Sequence, residues 1–361
     1  MNEKIEYRKL QRVGRGSYIV TLPKDWVQDQ KLEKGAHLAI RREDDSSLLV
    51  VPREVWEGKK EESRPREYMI YADSRVDSQS LCRKIASLYV VSADIIHIKF
   101  KEDKIPPEHR SAVNKLTKGS LLGSEVISER DGEIVIQILV SHSDFPLERA
   151  IRRMSLLALS AKSDIILALK DMNEELIREI TELCNDVNRL NLYVIRQLKY
   201  GLDRDLSEEF GFESRREFLG YRIVANAIKS IADNALNIVK NLKGLREGRE
   251  EQTLRGKGEI NSEIISQLLE FNSKVRQFFE EALKALFSRK YLLADKLLSD
   301  IEKLANLENE LATTIASQKI DPGVSAIFRL ILDSSRRIVQ YGRSIAEVTL
   351  NRTVEEEVKR V

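Results

Sequence analysis

The chain has 361 residues, with 60 Lys and Arg against 58 Asp and Glu, a formal net charge of +2, and 42% hydrophobic residues. That balance fits a globular protein with charge-coated helices and excludes a polycation, so any nucleic-acid contact must come from local charge asymmetry. No apolar run reaches the roughly 18–20 residues that span a bilayer, and MNEKIEYRKLQR lacks the apolar core of a signal peptide. The expectation is a cytoplasmic protein with no membrane insertion. Its two cysteines, Cys82 and Cys184, read as packed thiols of a reducing compartment. The four histidines, His37, His97, His109 and His142, are scattered without metal-ligand spacing. No nucleophile–base pair is legible either, so neither an enzyme, a cofactor nor a metal centre is expected.

Residues 1–53 alternate like short strands: YRKLQRV, SYIVTLP, HLAIRRE and SLLVVP, punctuated by Gly14, Gly35 and the acidic run Glu43-Asp44-Asp45. Residues 54–67 read as a charged linker. Residues 68–142 read as a small α/β domain. YMIYA and DIIHIKF are strands. Leu81, Ile85, Leu88 and Tyr89 stand at helical spacing, and Pro106-Pro107 opens a short helix. SEVISER and EIVIQILV form a hairpin around Asp131-Gly132, a pair suited to a type I′ turn.

From residue 143 to 361 the period changes to 3.6. Six long helices are predicted, near 147–170, 174–201, 214–243, 260–287, 290–318 and 322–351. The second carries Leu176, Ile180, Leu183, Val187, Leu190, Val194 and Leu198 as an apolar stripe. A bundle is the natural way to bury such stripes. The stretch GLREGREEQTLRGKGE divides the helices into two sets of three, 143–245 and 258–361. Laid over each other, ITELCNDVNRL and IEKLANLENEL share Leu, Asn, Asn and Leu. YRIVANAIKSIADNALNIVK over FRLILDSSRRIVQYGRSIAE matches Arg222 to Arg329, Ile231 to Ile338 and Ile238 to Ile345. The two sets read as a duplicated three-helix unit, although apolar spacing alone also aligns amphipathic helices.

The string RKLQRVGRGSYIVTLPKDWVQDQKLEKGAHLAIRREDDSSLLVVP resembles the AbrB/SpoVT family of DNA-binding domains. The resemblance rests on a basic first strand, a glycine turn, a strand ending Thr21-Leu22-Pro23-Lys24, a short helix around Trp26, then Leu32-Glu33-Lys34-Gly35 and two more strands. Four short strands bury too little surface alone, and pairing with a second copy removes their edges. The resemblance implies an intertwined homodimer, each chain giving a swapped-hairpin half of a β-barrel. Residues 1–24 hold six Lys and Arg against two Glu. Doubled in a dimer, they make a positive surface for phosphates of double-stranded DNA. The resemblance places those contacts on the first strand and turn, at Arg8, Lys9, Arg12 and Arg15, with Lys24 in support.

The helical half resembles the PhoU family of phosphate-uptake regulators, and the combination resembles archaeal regulators of phosphate uptake. SIADNALNIVK carries that likeness, with Asp233 and Asn237 at the family's acidic and amide positions. Glu182 and Asp186 match its paired acids. The family uses such acids to hold metal ions. Here Lys229 stands where it has Glu, the second unit has Arg336, Gln340 and Ser344, and its paired-acid positions are Lys303 and Leu307. A cation needs converging anionic ligands, so a salt-bridged face is expected and not a metal site. Arg222, Lys229, Arg329, Arg336, Arg337 and Arg343 instead suggest a surface for an anion or an acidic partner. The α/β domain shows no ligand signature, leaving dimerisation, metabolite sensing and spacing open.

The fold expected is therefore multidomain α+β: a dimeric β head, a small α/β domain and a six-helix bundle. The function expected is a dimeric DNA-binding transcriptional regulator of phosphate uptake, coupled to a phosphate transporter or signalling partner. Two alternatives stay open: a chromatin-like architectural DNA-binding protein, and a protein–protein adaptor whose head only dimerises.

Overall fold

The computed structural model describes residues 6–14, 16–42, 47–56, 65–102, 104–141, 143–171, 174–204, 206–254 and 262–358. The chain divides into two compact units, Met1–Pro65 and Arg66–Val361.

In the first unit β1 (Gln11–Val13) pairs antiparallel with β2 (Ser17–Ile19), and β3 (Leu38–Arg42) pairs antiparallel with β4 (Leu48–Pro52). The short helix α1 (Lys24–Asp29) lies between the two hairpins in sequence. Gly14 at φ +63° and Gly35 at φ +95° hold left-handed turns that a side chain would strain. The four strands are those read from the sequence, but among the described residues they form two separate two-stranded sheets and no closed barrel. Little is buried here. Val51 and Pro52 are buried, while the other strand residues are exposed or half-buried.

The second unit opens with a four-stranded sheet in the order β5 (Glu67–Ala72), β6 (Ile95–Phe100), β8 (Glu133–Ile138), β7 (Ser124–Arg130). β5 and β6 run parallel through the crossover helix α2 (Ser78–Val90), and α3 (Pro107–Ser120) joins β6 to β7. Asp131 at φ +48° and Gly132 at φ +70° form the hairpin turn that Asp-Gly predicts. One sheet face buries Ile70, Ile96, Ile98, Phe100, Ile134 and Ile136 with Leu81, Ile85 and Val113 of the helices.

The bundle follows: α4 (Leu147–Asp171), α5 (Glu174–Arg204), α6 (Arg216–Leu254), α7 (Ser262–Ser288), α8 (Tyr291–Ser299), α9 (Ile301–Ser317) and α10 (Pro322–Glu357). Helices α6 and α10 pack along much of their length, and α4 packs on α5, α6 and α7. Two helix boundaries differ from expectation. The fifth predicted helix breaks at Asp300, whose N–H bonds back to both Lys296 and Leu297 and whose carboxylate accepts from Lys303 at 2.6 Å. The third runs past 243 to Leu254, because Leu245 is buried and holds the chain against the bundle beyond Gly244. A glycine costs a helix only about 1 kcal/mol, and that burial offsets it.

Helix α5 also fixes the α/β layer to the bundle. Arg196 is buried, and its Nη1 donates to the carbonyls of Tyr89 at 2.9 Å and Ala93 at 2.6 Å, at the C-terminal end of α2. Its Nη2 donates to Asp94 at 3.1 Å, and the guanidinium lies 5.2 Å from the centre of the Tyr89 ring. A cation on the last carbonyls of a helix is favoured by the dipole and satisfies acceptors that the helix cannot.

Candidate nucleic-acid interface and helical grooves

In the head, the β1–β2 hairpin sets Arg12 opposite Tyr18, with Gln11 opposite Ile19. Arg8 and Lys9 precede β1 and are exposed, as is Lys24 in the first turn of α1. Arg8 is paired with Glu6 two residues away. Arg15 lies outside the described residues, as do Glu43, Asp44 and Asp45. The basic side chains share this ribbon and its approach with exposed apolar ones, Tyr7 at 94%, Leu10 at 68% and Tyr18 at 63%, and the second hairpin exposes Ile40 at 66% and Leu48 at 64%.

In the bundle, the Lys229 ammonium sits on Asp233 of its own helix α6, and Arg222 bonds the side-chain oxygen of Asn226. Glu182 and Asp186 are exposed on α5. Cys184, between them in sequence, is buried, and burial with the neighbouring Asp233 charge pushes its thiol up to about 12. A protonated thiol and a carboxylate already holding an ammonium are a poor donor set for a cation. Among the described residues no group of three or more His, Cys, Asp or Glu is placed to hold a metal ion. The residues present do not fit the metal that the acids suggest.

In the groove between α9 and α10, the arginines differ in their partners. Arg336 bridges to Glu308 on α9 at 3.3 Å and to Asp333 at 2.6 Å. Arg337 takes the other oxygen of Asp333 at 2.9 Å, and Arg343 pairs with Glu347 at 2.8 Å. Arg329 is exposed and makes no ion pair among the described residues. The hydrogen bonds from Arg336 and Arg337 hold the Asp333 carboxyl below its usual range, whereas burial pushes Glu308 up against the opposing pull of Arg336. Of the six basic residues expected to share a surface, Arg329, Arg336 and Arg343 line this groove, Arg337 sits beside it on α10 without lining either cavity, and Arg222 and Lys229 lie on α6.

Sequence reasoning missed the polar centre of the bundle. Lys162 of α4 is fully buried and donates to the side-chain oxygen of Asn272 on α7. Ser335 of α10 donates to the same oxygen at 2.8 Å, and the Asn272 amide nitrogen donates to the Leu268 carbonyl at 2.8 Å. Burial alone lowers the lysine from 10.5 to about 7. The available signal was phase: Lys162 falls on the stripe of Met154, Ala158, Ala161 and Ile165, which faces inward.

Comparison with known proteins follows this division. A PhoU domain model matches residues 151–242, and a model described as antidote-toxin recognition MazE, bacterial antitoxin, matches residues 11–57. The head is thus similar to a MazE-type domain and the first half of the bundle to a PhoU domain. Among solved structures, PhoU from Pseudomonas aeruginosa is 17% identical, covering 58% of this chain and 97% of its own at a TM-score of 0.49. The phosphate transport system regulatory protein PhoU from Streptococcus pneumoniae is 16% identical, covering 59% and 96% at 0.48. No curated protein matches. No helix among the described residues is long and apolar enough to cross a membrane.

Proposed function

We propose that this protein is a DNA-binding regulator of phosphate uptake that acts as a homodimer. Its head would contact double-stranded DNA through Arg8, Lys9, Arg12, Arg15 and Lys24. The observation that carries the reading is the pairing of two surfaces on one small unit. The first hairpin is basic, and the same strands expose apolar side chains that a domain of this size does not leave in water. A second copy would cover the apolar strands and double the positive charge, so dimerisation and phosphate contact support one another. The PhoU domain supplies the link to phosphate uptake, with a transporter or signalling protein as the further partner. Cytoplasmic location is part of this reading.

The test is DNA retention by the full chain at fixed salt, with Lys9 and Arg12 changed together to Ala. Loss of retention is expected with the oligomeric state unchanged. Undiminished retention would overturn the assignment of the first strand. The ratio of specific to non-specific affinity then separates a regulator from an architectural protein, and genome-wide occupancy upstream of phosphate-transport genes is the outcome expected.

A further inference from the structure

The bundle carries a groove between α9 and α10. Two adjoining cavities, of 660 and 220 Å³, lie there and share Glu308. The larger is polar at its mouth, with Arg329, Asn309, Thr313 and Asp333. The smaller has an apolar floor of Phe271, Leu304 and Val339 beneath Arg336, Gln340 and Arg343. Opposite, α9 contributes Ala305 and Ala312, so its wall stands back and leaves the space.

Arg329, Arg336 and Arg343 recur every seven residues, about 10.5 Å per interval at 1.5 Å rise. They form a cationic edge roughly 21 Å long. Three arginines line the cavities against two carboxylates, Glu308 and Asp333, and Arg337 also draws on Asp333. Laying 328–347 over 221–240 shows the difference in sequence. Asp233, which neutralises Lys229, is replaced by Gln340, and Leu236 by Arg343. With Gln340 in place of a carboxylate four residues on, Arg336 reaches across the groove to Glu308. That bridge divides the cavities, and it joins an arginine to a half-buried carboxyl that burial pushes toward its neutral form.

We propose that the α9–α10 groove receives a phosphate-bearing ligand, its oxyanion on Arg329 and Arg336 and any organic body against Phe271, Leu304 and Val339. A phosphate monoester or inorganic phosphate presents the several acceptor oxygens that guanidinium donors match. A compartment that is apolar below and cationic at the rim suits a ligand with one anionic end. The oxyanion takes the place of Glu308 on Arg336, and Glu308 is released to solvent or accepts a proton. This deepens the phosphate half of the proposed function, but its readout is ligand binding, so it stands or falls independently of DNA contact.

Isothermal titration of the full chain with inorganic phosphate and, separately, with adenosine 5′-monophosphate tests it. At least one should bind at millimolar concentration or below. Arg329→Ala and Arg336→Gln should each weaken that binding by about tenfold, as removal of one charge-assisted hydrogen bond would. Arg329 is exposed, so its removal leaves the fold intact, and circular dichroism verifies this for both variants. Ala305→Leu, which fills the smaller cavity, separates the two sources. Loss of nucleotide binding with phosphate binding intact assigns an organic ligand, and unchanged phosphate binding with no nucleotide preference assigns the free ion. Absence of heat with both probes overturns the proposal, as does binding that neither arginine variant affects.

Discussion

Replacing Lys162 with Met tests the polar centre of the bundle, where α4, α7 and α10 meet. The amine is fully buried, and the acceptor it donates to is a neutral amide oxygen. Burial lowers it from 10.5 to about 7. Between those values the unfolded chain binds a proton there that the folded chain does not, so stability rises with pH from about 7 to 10.5 and is flat on either side. At about 1.36 kcal/mol per unit, the whole rise is on the order of 5 kcal/mol, a large fraction of a typical domain's roughly 5–15 kcal/mol. Met has similar length and no charge to desolvate. Asn272 keeps the hydroxyl of Ser335 as a donor to the same oxygen. Lys162→Met should therefore be more stable than the parent near neutral pH by about 4 kcal/mol, the advantage vanishing toward pH 10.5. Urea unfolding across that pH range is the assay. Parallel stability–pH curves for parent and variant would refute the reasoning, because no other change separates them.

Other outcomes follow from the same kind of argument. Arg196→Ala should cost about 1–3 kcal/mol by leaving the Ala93 carbonyl without its donor and removing one of the partners of Tyr89 and Asp94, with hydrogen exchange rising across residues 66–140 before it rises in the bundle. Tyr18→Asp or Ile40→Asp should convert a dimer to a monomer in sedimentation; dimers that survive both changes would place the interface elsewhere. Lys9→Ala with Arg12→Ala should flatten the salt dependence of DNA affinity, by roughly 0.9 in the log–log slope for each phosphate no longer neutralised. A Cβ on Gly342 would meet Phe278 at 2.8 Å, whereas one on Gly244 meets Ile327 at 3.7 Å. Gly342→Ala should thus lower the melting temperature through about 1–3 kcal/mol of overpacking, and Gly244→Ala should be neutral or stabilising.

Legibility from the sequence followed the strength of local pattern. Long helices declare themselves because burial of one face imposes a period, and Asp131-Gly132 declared its turn because few other pairs adopt two positive φ values. The break at Asp300 was hidden: Leu297, Leu298, Ile301 and Leu304 carry the apolar phase straight across it, with no Gly or Pro to mark it. The end of α6 was misplaced for the opposite reason, since Gly244 looks like punctuation until the packing of Leu245 is known. Charges were legible as a set and not as partners. Arg222, Lys229 and Arg336 look alike in sequence, yet the first rests on an amide, the second on a carboxylate of its own helix, and the third also on one across a groove. Which is which depends on neighbours that can come from another helix, such as Glu308.

The capping of α2 by Arg196 has a consequence for how such a chain is assembled over evolutionary time. A layer tied to the next by a side chain more than a hundred positions away is not a portable segment. Recombination at residue 142 would leave the Ala93 carbonyl without its donor and uncover the α5 surface that meets it, so the α/β layer and the bundle are expected to be inherited together. The seam that tolerates exchange falls ahead of residue 66, where the chain divides into its two units. Related chains should therefore differ by whole heads far more often than by the α/β layer.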